Sequence, residues 1–109
     1  MTTARDLRKL VLTMTVGMCE GIAMGSIPID EAAHYLFSPR TMRLFEDDNE
    51  VKEIIHLATE FEDVARLAPG NLEKAVAEVK QMALVALKLT PPCDYQQDSW
   101  LNNLTPIAD

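Results

Sequence analysis

Two Glu-x-x-His units, Glu31/His34 and Glu53/His56, come nearest in type and spacing to residues that could do chemistry. Residues three apart on a helix share a face, and four-helix carboxylate sites for paired metals combine two such units with one Glu from each of two other helices. Glu20 and Glu78 are the carboxylates such a site would draw on. Against this, Glu31 and His34 fall on a segment of barely two helical turns, and His56 lies on the hydrophilic side of its own helix. Metal ligands must instead converge on a bundle core. The expectation is no metal and no cofactor, with Glu31, His34, Glu53 and His56 as the alternative ligand set of a carboxylate/histidine helical enzyme.

Other catalytic patterns are missing. The glycines of the N-terminal segment neither follow a strand nor open a helix, so they make no phosphate loop. Ser26, Ser38 and Ser99 read as a connector, a cap and a tail residue rather than as nucleophiles. Cys19 sits next to Glu20 in an apolar run, where a thiol is a small core residue and not a reactive one. Cys93 lies far from it beside Pro91-Pro92, so neither a disulfide framework nor a zinc spacing follows.

The elements that position these residues are helical throughout. Leu7, Leu10, Val11, Met14, Met18 and Ile22 recur at helical spacing, and Leu12, Val16, Cys19 and Ala23 form a second seam. This predicts a helix over about 3–24, capped by Thr3, with Asp6 in its first turn and Gly25 as its stop. A helix apolar nearly all round is either central in a small fold or shared between two chains. Gly17, Gly21 and Gly25 follow Thr13 at steps of four. Interior glycines cost about 1 kcal/mol each relative to Ala, so an offsetting close approach is expected. A crossing within the chain and a homodimer seam at Gly17 and Gly21 both answer to that spacing.

Asp30 is expected to cap a short helix ending near Phe37, and Ser38-Pro39 to start another ending near Phe45, because Ser caps a first turn and Pro loses nothing there. A fourth helix, capped by Asn49, is predicted from Glu50 to Leu67 with Val51, Ile54, Ile55, Ala58 and Phe61 inward. Ala68-Pro69-Gly70 breaks the chain, and Asn71 caps a fifth helix to Leu89. The fold expected is all-α: one domain over 1–89, a compact bundle of about five helices around a central apolar N-terminal helix. A polar tail follows over 90–109, in which Trp100 and Leu101 are expected to dock on the helices or on a partner.

Charge supplies the strongest functional clue. The chain carries −7, and residues 46 to 63 hold Glu46, Asp47, Asp48, Glu50, Glu53, Glu60, Glu62 and Asp63 against Lys52 alone. Acids and bases balance elsewhere, so the charge is one block on a neutral domain. Such a block attracts cationic partners at long range, and Glu53, Glu60, Glu62 and Asp63 are the residues expected to meet a basic protein. Where no partner exists, the same block is a solvated helix face that confers solubility. No basic stripe for nucleic acid is present. The run from Leu10 to Ile29 contains Glu20, three glycines and Pro28, which argues against a membrane span. Arg5, Arg8 and Lys9 before that run resemble a secretory leader, but Glu20 and the interspersed Gly and Thr weaken the likeness. A reduced, cytoplasmic setting is expected.

Met18-Cys19-Glu20-Gly21-Ile22-Ala23, Leu36-Phe37-Ser38-Pro39-Arg40-Thr41 and Ile54-Ile55-His56-Leu57 are similar to stretches in a family of small bacterial helical proteins of unknown function. The resemblance spans about 14–89 and implies a bacterial, single-domain, helical protein, with no activity attached to any position.

Overall fold

The computed structural model describes residues 4–91. Within them the chain forms α1 (Ala4–Ala23), α2 (Ile29–Tyr35), α3 (Pro39–Arg43), α4 (Asn49–Ala58), α5 (Phe61–Leu67), a 3₁₀ turn (Pro69–Asn71) and α6 (Leu72–Leu89). The described part is all-α and holds six α-helical segments where five were expected. Thr3, expected as a cap, and Trp100 and Leu101, expected to dock, lie outside the described residues.

The longest helices make the heaviest contact, α1 against α6. They run antiparallel: Arg8 near the start of α1 reaches Thr90 just past α6, and Glu20 near the end of α1 meets Lys80 in mid-α6. α6 also packs on α4, on α5 and on the 3₁₀ turn, so α6 shares the central place expected for α1. Its buried row is Val76, Val79, Ala83 and Ala86, close to the seam expected from spacing.

On α1 the buried row is Val11, Leu12, Thr15 and Cys19, which runs between the two expected seams and leaves Met14 and Ala23 exposed. Thr15 can lie at the centre of that row, fully buried, because its hydroxyl donates to the Val11 carbonyl at 2.8 Å and no polar group is stranded. The helix stops as expected. Gly25 takes φ = 76°, its N–H bonds the Ile22 carbonyl at 3.1 Å, and the Ser26 N–H bonds the Gly21 carbonyl at 2.8 Å. These are the two reverse bonds of a glycine-terminated helix, which satisfy carbonyls left over at the last turn.

Two caps differ from expectation. α2 begins at Ile29 after Pro28, and Asp30 lies inside the first turn, accepting from the Glu31 N–H at 3.0 Å. α4 is capped by Asp48, whose Oδ1 accepts from the Val51 N–H at 3.2 Å, and Asn49 is already helical. Ser38 does cap α3 and accepts from the Thr41 N–H, with Pro39 in the first turn.

The predicted fourth helix is two helices. At the end of α4 the Thr59 hydroxyl donates to the His56 carbonyl at 2.5 Å, the Thr59 amide is shared between the Ile55 and His56 carbonyls, and the Glu60 amide bonds three residues back, to Leu57. Such hydroxyl back-bonding and tightening bend a helix axis. The bend lets α5 lie against α2 and sends Phe61, 1% exposed, edge-on to Phe37 with ring centroids 5.7 Å apart.

Candidate functional site

Arg8 organises one end of the acidic block. Its Nη1 donates to Asp48 Oδ2 at 2.5 Å, its Nη2 to Glu50 Oε1, and its Nε to the Thr90 hydroxyl at 3.1 Å. Thr90 in turn donates to the Ala86 carbonyl at 2.7 Å. One planar cation therefore ties α1 to the cap and first turn of α4 and to the end of α6. Burial alone would lower the Arg8 pKa. The hydrogen bonds and charges of Asp48 and Glu50 outweigh it, and the net shift is upward. A guanidinium suits this task because its fork serves two carboxylates at once.

The tie divides the block. Asp48 and Glu50 are engaged in holding the fold together. Exposed pairs link Glu46 with Lys52 at 3.6 Å, Glu60 with His56 at 4.0 Å and Asp63 with Arg66 at 2.9 Å, and exposed pairs of this kind contribute little to stability. Asp47, Glu53 and Glu62 have no ion-pair partner among the described residues. Glu53, Glu60, Glu62 and Asp63, the expected partner-facing set, are all exposed, on α4, the bend and the first turn of α5. Glu62 also lines a shallow groove between α2 and α5, open to solvent, with Ile29, Asp30, Ala65 and Arg66.

Glu31, His34, Glu53 and His56 are exposed on α2 and α4. Among the described residues no three His, Cys, Asp or Glu side chains converge as a metal site would require. Glu20 lies at the solvent edge of α1, as its helical position implies, and its partner is Lys80 at 2.7 Å. The other expected seam residues part ways. A Cβ on Gly17 would meet nothing within 4 Å, whereas at Gly21 it would strike Ile27, with Cγ1 at 2.5 Å and Cβ at 3.2 Å. The close approach at Gly21 is thus made by the turn after α1, not by a second helix backbone.

Cys19 is fully buried. Burial pushes its thiol up to about 12, with Lys80 pulling weakly the other way, so it stays protonated and inert at neutral pH. An unfolded thiol releases its proton near 9 while the folded one still holds it. Its contribution to stability is whole below pH 9 and is lost as pH rises toward 12. Denaturant midpoints at pH 8 and 10.5, compared between a Cys93→Ser protein and the same protein with Cys19→Ala, are expected to show the steeper alkaline loss in the chain that keeps Cys19. Equal slopes would remove the thiol from the account.

Arg8 was not singled out by its neighbours in the chain. Its partners lie 40, 42 and 82 residues away, and no local pattern signals such a convergence.

These features define a class: a small all-α domain with a cross-helix tie and an acidic face formed by α4 and α5. The chain belongs to the family described as protein of unknown function (DUF3969), which it matches over residues 2–102. No curated protein and no solved structure matches it. No helix among the described residues is long and apolar enough to cross a membrane.

Proposed function

We infer that this chain is a small acidic interaction protein of the bacterial cytoplasm that holds a basic protein partner, in the manner of an immunity protein or antitoxin covering a cationic surface. The observation that supports this best is the division of the acidic block: Arg8 takes Asp48 and Glu50, while Glu53 and Glu62 are left exposed and unpaired among the described residues. Clustered free carboxylates speed encounter with a cationic surface and make binding sensitive to salt. Nucleic acid and membrane are not the partners in this reading, since the block carries the wrong sign for the phosphates of both. A homodimer across α1 accompanies it, because Gly17 is open and Met14 beside it is 38% exposed.

The test is capture of partners from bacterial extract by the purified protein and by a variant with Glu60→Lys, Glu62→Lys and Asp63→Lys. The three sites are exposed, and only Glu60 and Asp63 make pairs, both weak, so the fold is expected to survive. The expected result is a basic protein captured by the first, lost with the variant and lost in high salt. Partners indifferent to the reversal would end the proposal. Light scattering at several concentrations checks the dimer, and a monomer throughout would remove the seam.

A further inference from the structure

The outward side of α6 carries a second helical seam. Ala75, Glu78, Met82, Val85 and Leu89 follow one another at alternating steps of three and four, the spacing of a row that meets another helix knob into hole. The row diverges from the buried one: Ala75 still packs against the core, whereas Met82 is 36%, Val85 46% and Leu89 73% exposed. Singly exposed apolar residues are ordinary; three in a row at this spacing have no cover among the described residues.

The flanks of the row say what it would accept. On the side away from the core, the positions that set partner choice in such pairings are held by Lys74, Gln81 and Lys88. Lys74 and Lys88 are exposed and have no ion-pair partner among the described residues. A second copy is a poor occupant, since antiparallel pairing of two α6 rows about Gln81 sets Lys74 of one copy beside Lys88 of the other, twice. We propose that this face of α6 seats one amphipathic helix of a partner protein, apolar along its contact stripe and acidic on the flank that meets Lys74 and Lys88. Glu78 within the row sets register, because an apolar residue opposite it would bury an unpaired carboxylate. This seat is distinct from the α4–α5 carboxylates and does not depend on their role.

The experiment uses the full chain and two fluorescein-labelled probe peptides of three heptads, both with Leu along the stripe, one with Glu and one with Lys on the flanks. Anisotropy at physiological salt is expected to show the Glu-flanked probe binding about tenfold tighter. Val85→Asp is expected to abolish that binding with unchanged circular dichroism, and Lys74→Glu with Lys88→Glu to reverse the preference. Equal binding of both probes, no binding of either, or a dimer that Val85→Asp splits would each overturn the proposal. Retention of the Glu preference in the Lys74→Glu/Lys88→Glu chain would do the same.

Discussion

Phe61→Ala is expected to destabilise the protein by about 3–5 kcal/mol, the range for emptying a buried aromatic site. Phe61 is 1% exposed, stands edge-on to Phe37 and opens α5 just after the bend at Thr59–Glu60. Its loss removes apolar contact and also the reason for α5 to turn toward α2. A domain of this size holds about 5–15 kcal/mol in all, so the variant is expected to lose much of its folded population by 37 °C. Urea unfolding followed by circular dichroism is the check. Phe61→Leu, which refills most of the volume, is expected to recover more than half of the loss. A cost below about 1 kcal/mol for the Ala variant would mean that the ring is not a core anchor.

Arg8→Met is expected to cost about 2–3 kcal/mol, between the value of a charge-assisted hydrogen bond and that of a broken buried pair. The Arg8 side chain is 19% exposed and Asp48 27%, so the pair is not screened like the others on this surface, whereas Glu50, at 50%, adds less. Asp48→Asn should keep the cap on Val51 while losing the charge, and the double variant completes a cycle whose coupling energy reports the pair itself. Arg8→Lys is expected to rescue little, since an ammonium cannot reach both carboxylates and the Thr90 hydroxyl in one plane. Urea midpoints for the four chains decide it; Arg8→Met within about 0.5 kcal/mol of the parent would show that the tie is ornamental.

The boundaries that were legible are those made by local chemistry. Gly25 stops α1 because glycine enters the left-handed backbone region without a Cβ clash, and the two reverse hydrogen bonds it closes involve only neighbours. Ser38-Pro39 opens α3 for equally local reasons. The caps at Asp48 and Pro28 lie one and two residues before the expected Asn49 and Asp30, because Asp48-Asn49 and Pro28-Ile29-Asp30 each offer more than one starting point and only the surrounding packing chooses between them. The bend after Ala58 was invisible. Val51, Ile54, Ile55, Ala58 and Phe61 keep one helical stripe across it, and the Thr59 back-bond that bends the axis is held in place by the contact of Phe61 with Phe37.

The candidate surfaces divide in the same way. The acidic block and its exposed Glu53, Glu60, Glu62 and Asp63 follow from composition and helical spacing, since charged side chains stay in water unless something draws them in. That Asp48 and Glu50 are tied could not be read, because it depends on where Arg8 arrives, 40 residues along the chain from Asp48 and 82 from Thr90. What the amino-acid sequence determined by itself was the helical class, most element boundaries and the sign and place of the charge, all of which rest on interactions within a few residues. Only the tertiary structure decided which carboxylates are tied, that Glu20 meets Lys80, that Gly21 is covered by Ile27, and which apolar row of α6 is left facing water. All but the Gly21 contact, which the turn after α1 makes, depend on the angle at which one helix crosses another, and that angle is set by the packing of the whole core at once.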